Sequence, residues 1–201
     1  MRRLFSNDRT EEISMDARKF LDILQFAERL KDTTRHSYTS KGRHESVAEH
    51  SWMTTLMAFF LRDEFPEADM DKVVRMCMIH DLGEAFTGDI PSFNKTADHE
   101  AEEERRLDQW VESLPAPYAE EMAALYREMN ALQTVEAKIY KAIDNMEAVI
   151  QHNNADLSTW IPLEYELNQT YGTDKVAFSP YLQQLRQLAK EDTIRKIQEE
   201  S

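Results

Sequence analysis

Cysteine, glycine and proline are scarce in this 201-residue chain, and each shortage excludes a class of protein. The single cysteine, Cys77, cannot form a disulfide within the chain, which favours an intracellular, cytoplasmic protein over a disulfide-stabilised secreted one. Only 4 glycines and 6 prolines are available for turns, so helices are favoured over many short strands. No run of the sequence reaches the roughly 18 consecutive apolar residues of a membrane span, and no apolar segment follows the N-terminal arginines as in a secretory signal.

Basic residues are also outnumbered. The chain has 24 Lys and Arg against 38 Asp and Glu, a formal net charge of −14. A surface this acidic repels polyanions, which argues against polymeric nucleic acid as the ligand. A small phosphorylated ligand stays compatible with this charge, because a bound cation can reverse the local field.

Apolar residues recur at helical spacing along most of the chain. An S-x-x-E capping box at Ser46–Glu49 and the pair Ser179–Pro180 mark two helix starts. No repeat, linker or break in composition divides the sequence. We therefore expect an all-α, single-domain protein over 1–201, with a core over about 15–152 and a C-terminal helical extension over about 153–201. Helices are predicted over 15–32, 46–62, 69–84, 97–113, 118–131 and 134–152, and from 180 to the end, with loops over 33–45 and 86–94.

Polar side chains interrupt the apolar face of the helix predicted over 69–84. At 100° per residue, His80, Asp81 and Glu84 project from the side that also carries Val73. An ionised carboxylate in an apolar setting is costly unless another group satisfies it. One histidine there would most simply be a hydrogen-bonded core residue, but two further carboxylates on the same face indicate a site.

The preceding predicted helix, 46–62, is apolar nearly all round and carries His50 beside Met57. His50 is therefore predicted to be buried next to His80 and Asp81. Imidazole nitrogen and carboxylate oxygen together suit one divalent transition metal, namely Mn²⁺, Fe²⁺, Co²⁺, Ni²⁺ or Zn²⁺. Periodicity alone places Asp144 outside this group, because it lies away from the apolar stripe of its helix and is expected on the surface.

Four motifs give the sequence a resemblance to the HD-domain phosphohydrolases, and within them to the 5′-deoxynucleotidase branch. They are "EHS" at 49–51, "HDLGE" at 80–84, "TGDIP" at 87–91 and "AIDNMEA" at 142–148. The resemblance implies an all-α, dimeric metal enzyme. It also implies one metal ion held by His50, His80, Asp81 and Asp144.

The resemblance further implies that Arg35 orients the substrate phosphate. The branch carries an aromatic residue after this arginine, whereas His36 stands here; His36 and His44 are otherwise expected to be exposed loop residues. Glu84 and Asp89 are the candidate acid–base residues. The alternative for Asp89 is that it serves only as a turn residue. The predicted substrate contacts are Arg35, His36, Asp89, Ile90, Pro91 and Ser92.

The expected reaction is therefore hydrolysis of a (deoxy)nucleoside 5′-monophosphate to release phosphate. Two enzymatic alternatives stay open: a dNTP triphosphohydrolase and another HD-domain phosphodiesterase. Cyclic-dinucleotide phosphodiesterases of this superfamily carry "HDxGK", and "HDLGE" here counts against them. A metal-binding regulatory module with a vestigial site is the non-enzymatic alternative.

Overall fold

The computed structural model describes residues 15–200, so the predictions for the first 14 residues lie outside the described part. The described chain is mostly helical with one small two-stranded sheet, which confirms the all-α class. Among the described residues, no helix combines the length and apolarity that crossing a membrane requires. The helices are α1 (Ala17–Glu28), α2 (Val47–Phe60), α3 (Met70–Ile79), α4 (Glu84–Thr87), α5 (Ala97–Glu112), α6 (Tyr118–Ala131), α7 (Val135–Asn154), α8 (Glu164–Thr170) and α9 (Pro180–Glu200). The strands are β1 (Thr34–Tyr38) and β2 (His44–Ser46).

Three helices, α2, α3 and α7, pack against one another and form the centre of the fold. The start of α2 is fixed by the predicted capping box, in which Ser46 Oγ accepts from the Glu49 amide and the Glu49 carboxylate accepts from the Ser46 amide. Burial of apolar side chains between these helices is the main force holding them together. The fully buried core side chains include Val47, Val73, Met76, Ile139, Ile143 and Met146.

The segment 33–45, expected to be a loop, forms a hairpin instead. Strands β1 and β2 are antiparallel, and Thr34 lies opposite Ser46. The side chains that this hairpin buries include Ser37 and Glu45, which are polar. Because buried positions of the hairpin are polar, its sequence does not alternate between apolar and polar residues. The two-residue period that usually identifies a strand was therefore missing.

The helix predicted over 69–84 ends early, at Ile79. Leu82 N donates to Ile79 O at 3.1 Å, and the Tyr126 hydroxyl from α6 donates to the same carbonyl at 2.6 Å. The chain then turns and re-enters a short helix, α4, inside the predicted HDLGE–TGDIP region. The last turn of the predicted helix 69–84 is therefore wrong, but Glu84 is still buried, as its predicted place on the inward face requires.

Helix α8 was missed, and it packs on α9 in the C-terminal segment. Gly172 follows α8 with a φ of 72°, and a Cβ atom at this position would lie 2.8 Å from Asn145 Cβ of α7. Only glycine allows this left-handed turn so close to another helix. The turn brings α8 beside the central helices.

Candidate metal centre and pocket

Four predicted metal ligands converge from three separate parts of the fold. His50 lies on α2, His80 and Asp81 follow α3, and Asp144 lies on α7. The Nε2 atoms of His50 and His80 are 3.2 Å apart, and His50 Nε2 is 3.2 Å from Asp144 Oδ1. Asp81 Oδ2 lies 3.1 Å from His80 Nε2 and 3.7 Å from His50 Nε2. The structure thus brings both carboxylates within 3.7 Å of the two histidine nitrogens, and the donor atoms of His50, His80 and Asp144 are all close to one another.

Hydrogen bonds on the far side of each ring fix which nitrogen is free. His50 Nδ1 contacts the buried Glu147 carboxylate, and His80 Nδ1 lies 2.8 Å from the Cys77 carbonyl oxygen. Because both partners accept, each Nδ1 donates, which leaves Nε2 of each ring as the nitrogen that can bind a metal. Burial lowers the pKa of His80, but the carboxylates of Asp81 and Asp144 raise it to about 10, so in the metal-free protein a proton occupies the position that a metal ion would take.

The donor spacing matches a single divalent ion. Ligand atoms at about 2.0–2.2 Å from a metal are about 2.8–3.6 Å from their neighbours in octahedral or tetrahedral geometry. The two histidine Nε2 atoms lie 3.1 to 3.7 Å from each other and from the nearest oxygens of Asp81 and Asp144. Two neutral imidazoles and two carboxylates also balance the charge of a divalent cation. The residues present therefore fit a metal.

Two other groups within residues 15–200 bring three possible donors within 4.8 Å of one another. The group Glu45–His50–Glu147 uses the His50 nitrogen that already contacts Glu147. In the group His36–His152–Glu164, His36 Nε2 lies 2.7 Å from the Glu164 carboxylate, the distance of an ordinary hydrogen bond. The first cluster differs in having two rings that are bonded from behind through Nδ1 and whose Nε2 atoms face the carboxylates of Asp144 and Asp81.

The surface position that periodicity predicted for Asp144 is wrong. Its side chain is only 17% exposed, with Lys141 Nζ 2.7 Å from Oδ2. The reason is that α7 is buried on several sides, so its apolar stripe does not mark the only inward face. The resemblance to the family had predicted that Asp144 lies in the site, whereas the periodicity of the helix had not.

Arg35 lies on β1 and reaches the same cluster. Its Nε is 3.2 Å from Glu45 Oε2, and its Nη1 is 3.9 Å from Asp81 Oδ2. Burial lowers the pKa of Arg35, but the carboxylates of Glu147, Asp81 and Glu45 raise it by more than burial lowers it. The guanidinium therefore stays charged. The hairpin thus delivers a permanent cation to an acidic site.

Glu84 is buried beside the cluster, and no cationic side chain within residues 15–200 forms an ion pair with its carboxyl group. It is 7% exposed, and its Oε2 has no hydrogen-bond partner among the described residues. Burial, with repulsion from Asp81 and Asp89, raises the pKa of Glu84 to about 10. Burial also raises the pKa of Asp89, against the attraction of Arg35. Glu84 is therefore a protonated carboxylic acid at neutral pH.

A cavity of about 270 Å³ opens over these groups. The predicted residues that line it are Arg35, His36, Asp81, Glu84, Asp89, Ile90, Pro91, Ser92 and Asp144. His50 and His80 are buried and contact this wall through Asp81 and Asp144. His36, expected to be a free loop residue, is only partly exposed because Glu164 holds it, whereas His44 is exposed as predicted.

Several residues of the site were missed by sequence reasoning. Glu147 and Glu45 support His50 and Arg35 from behind, and neither stands out in the sequence from the many other acidic residues. The pocket is also lined by Phe93, Lys95, Lys141, His152, Asn168 and Tyr171. His152 lies near the end of α7, and Asn168 and Tyr171 belong to the C-terminal segment, where no motif indicated a function.

The chain is similar in sequence to known proteins of one family. The sequence profile described as "HD domain" matches residues 27–186. Human "5′-deoxynucleotidase HDDC2" is 32% identical over 140 residues, which are 67% of each chain. The "5′-deoxynucleotidase hdd1" of Schizosaccharomyces pombe is 29% identical over 68% of this chain and 74% of that protein.

Solved structures show the same fold. The chain aligns with a "predicted metal-dependent phosphohydrolase" from Magnetospirillum magnetotacticum MS-1 with a TM-score of 0.76 and 25% identity. The alignment covers 89% of this chain and 93% of that one. A conserved hypothetical protein from Pyrococcus furiosus aligns with a TM-score of 0.66 and 27% identity, over 85% of this chain and 99% of that one.

Replacing Asp144 with alanine should remove high-affinity metal binding. We expect the unaltered chain to bind one Mn²⁺ or Co²⁺ ion, because four donors surround one point, and Asp144→Ala to weaken binding at least tenfold. Titration calorimetry and elemental analysis measure both. The control is Asp108→Ala, which removes an exposed carboxylate of α5. Equal affinity in the two variants would contradict the assignment of Asp144.

Replacing Glu84 with glutamine should stabilise the metal-free protein, and increasingly so at higher pH. The pKa of Glu84 is raised from 4.5 to about 10 on folding, so above pH 4.5 the unfolded chain releases a proton that the folded chain retains. Its contribution to stability is complete below that pH and is lost as the pH rises toward 10. Glutamine mimics the protonated acid at every pH.

Thermal unfolding in EDTA from pH 5 to pH 9 measures this effect. The melting temperature of Glu84→Gln should exceed that of the unaltered protein by a margin that widens with pH. Glu121→Gln, an exposed position on α6, should show no such trend. A margin that stays constant or shrinks with rising pH would refute the raised pKa.

Proposed function

The chain belongs to the HD domain family, and on that basis we propose that it is a metal-dependent 5′-nucleotidase. The proposed reaction is hydrolysis of (deoxy)nucleoside 5′-monophosphates to nucleoside and phosphate. The observation that carries the proposal is the cluster of His50, His80, Asp81 and Asp144 in one cavity with Arg35 and Glu84. The relatives named 5′-deoxynucleotidase support the choice of substrate.

The four-residue cluster is the proposed metal-binding site. Its mixed nitrogen and oxygen donors suit Mn²⁺, Co²⁺, Fe²⁺, Ni²⁺ or Zn²⁺ better than the all-oxygen preference of Mg²⁺ or Ca²⁺. A divalent ion supplies Lewis acidity, which withdraws charge from phosphoryl oxygen and makes water more acidic. Glu147 and the Cys77 carbonyl hold the two rings in the tautomers that this site needs.

Arg35 is the proposed phosphate-orienting residue. Its planar guanidinium can donate two parallel hydrogen bonds to phosphate oxygens. Glu45 and Asp81 already hold this side chain in place, so little side-chain freedom is lost when substrate binds. Because Arg35 stays charged, it also offsets the repulsion between a phosphate and the surrounding carboxylates.

Glu84 is the proposed general acid. Cleavage expels the 5′-oxygen of a nucleoside, a poor leaving group that needs a proton. Glu84 holds a proton at neutral pH because it is buried. Asp89, in the same wall of the cavity, is the second candidate and could accept a proton from water.

The charges of the cavity favour a monophosphate over a triphosphate. Three cationic side chains line it, and each lies beside a carboxylate. Arg35 faces Glu45, Lys95 lies 2.8 Å from Glu103, and Lys141 lies 2.7 Å from Asp144. A triphosphate carries more negative charge than this set can neutralise, so dNTP hydrolysis is the second candidate.

A homodimer is proposed for the assembled enzyme. The outer face of α2 exposes Trp52, Phe59 and Phe60, the last of which is 74% exposed. Trp52 and Phe59 are two helical turns apart and therefore lie on one side of α2. A contiguous apolar patch of this kind usually marks a protein–protein interface.

Phosphate release across a substrate panel tests the proposed activity. We expect phosphate from deoxynucleoside and nucleoside 5′-monophosphates with Mn²⁺ or Co²⁺, and none in EDTA or from Asp144→Ala. Asp108→Ala should retain full activity. Release of tripolyphosphate from dNTPs would support the second candidate instead, and no turnover of any nucleotide would leave a regulatory module.

The oligomeric state can be tested by changing the exposed face of α2. Phe60→Asp places a charge in the apolar patch and should convert a dimer to a monomer without loss of helix content. Light scattering after gel filtration measures the mass. Leu188→Asp, at an exposed position on α9, is the control and should leave the mass unchanged. A monomeric unaltered protein at micromolar concentration would refute the dimer.

A further inference from the structure

An exposed phenylalanine stands in the wall of the cavity. Of the large apolar side chains that are exposed within residues 15–200, Phe93 alone lines this cavity, and 37% of its surface is exposed. Leaving an apolar ring in water is unfavourable, although single exposed rings on an open surface are common. In a concave wall, a bound ligand would cover the ring and recover that free energy.

The backbone that carries this ring forms a closed turn. The amides of Asn94 and Lys95 both donate to the Pro91 carbonyl oxygen, at 2.7 and 3.0 Å. Just after the turn, Lys95 Nζ lies 2.8 Å from the Glu103 carboxylate of α5. These contacts tie the turn to itself and to a helix. The position of Phe93 is therefore set before any ligand binds, which lowers the entropy cost of binding.

The ring of Phe93 packs against His36 of β1. The two ring centroids are 5.4 Å apart, and the ring planes are nearly perpendicular, at 85°. In a perpendicular pair, the edge of one ring meets the face of the other. Whichever ring presents its edge, at least one face of Phe93 is left uncovered by His36. An open aromatic face next to a cavity is suited to stacking with another flat ring.

His36 places this face away from the metal cluster. Its Nε2 lies 2.7 Å from the Glu164 carboxylate, and its ring centroid is 5.3 Å from that of His152. His152 follows Asp144 on α7 by eight residues, which is about 12 Å along the helix axis at 1.5 Å per residue. Phe93 and His36 therefore flank the cavity at its far end, and Asp144 marks its metal end.

A nucleoside monophosphate has groups that match both ends. Its phosphate suits the metal cluster and Arg35, and its base extends away from the phosphate across the sugar. The base is a flat aromatic ring, which is the shape that the open face of Phe93 can cover. Stacking of this kind accepts any base, because every base has a π-face.

We propose that Phe93 is a specificity-determining residue whose ring stacks on the base of the nucleotide. This inference rests on the proposed function, because it assigns the far end of the same cavity. The contact selects nucleotides over sugar phosphates that lack a base, and it does not select one base strictly. Purines present a larger ring surface than pyrimidines and gain more from the contact.

Equilibrium binding to the Mn²⁺-loaded protein tests the proposal without turnover. The probes are phosphonate analogues of deoxyadenosine 5′-monophosphate, of thymidine 5′-monophosphate and of 2-deoxyribose 5-phosphate, which has no base. In each probe a methylene group replaces the bridging 5′-oxygen, so the probe binds and is not cleaved. Titration calorimetry measures the Kd of each probe.

Three substitutions of Phe93 separate stacking from other effects. Phe93→Ala should raise the Kd of both nucleotide analogues about tenfold, and more for the purine, while the Kd of the base-free analogue stays within about twofold. Phe93→Tyr keeps the ring and should bind every probe as the unaltered protein does. Phe93→Leu is apolar but has no ring, so it should lose nearly as much nucleotide affinity as Phe93→Ala.

Phe178→Ala is the matched control. Phe178 is also 37% exposed, but it lies just before α9 and does not line the cavity. The substitution removes the same side-chain atoms and should leave every Kd unchanged. This control separates a contact with the base from a general effect of removing an exposed ring.

Three results would overturn the inference. One is an equal loss of affinity for all three probes in Phe93→Ala, which would indicate that Phe93 only shapes the cavity. Another is full nucleotide affinity in Phe93→Leu, which would exclude stacking. The third is an unaltered protein that binds the three probes equally tightly. Phe93-dependent binding of the nucleotide analogues, without phosphate release from true nucleotides, would refute the proposed reaction and leave the base contact standing.

Discussion

The approach of two imidazole nitrogens to 3.2 Å is the constraint on which the rest of the structure depends. His50 lies on α2 and His80 follows α3, and each ring is bonded from behind by an acceptor that leaves its Nε2 atom pointing inward. Two ring nitrogens and two carboxylates this close repel one another unless a metal ion or protons lie between them, so the packing of α2, α3 and α7 must hold them in place. The large apolar residues between these helices supply the free energy for this.

Charge balance explains why the small hairpin is part of the fold. The cavity holds Asp81, Glu84, Asp89 and Asp144, and a chain of net charge −14 adds more repulsion. The hairpin contributes Arg35 from β1, and Glu45 from β2 keeps that guanidinium oriented. Buried carboxylates are stable only with cationic partners, and here a divalent metal ion would add to the charge that Arg35 supplies.

The C-terminal segment completes the cavity and does not stand apart from it. The Gly172 turn lets α8 lie close to α7, and Arg186 holds the α8 carbonyls from α9. These contacts place Asn168 and Tyr171 in the cavity wall, with Asn168 in contact with His152 of α7. Helix α7 carries both Asp144 and His152, so the C-terminal segment and α7 build this part of the cavity together.

The sequence by itself determined the helical class, the start of α2 and the presence of His50, His80 and Asp81 on inward faces. These features depend on local periodicity and capping, which act between residues a few positions apart. Tertiary structure decided the rest. Asp144 faces inward because α7 is enclosed on several sides, and the hairpin forms because its buried residues are paired polar groups. Glu84 leaves the line of α3 because the Ile79 carbonyl is satisfied by Leu82 and Tyr126, and Asn168 meets His152 only when α8 folds back. Each of these outcomes depends on contacts with residues distant in sequence, and a local sequence pattern cannot predict such contacts.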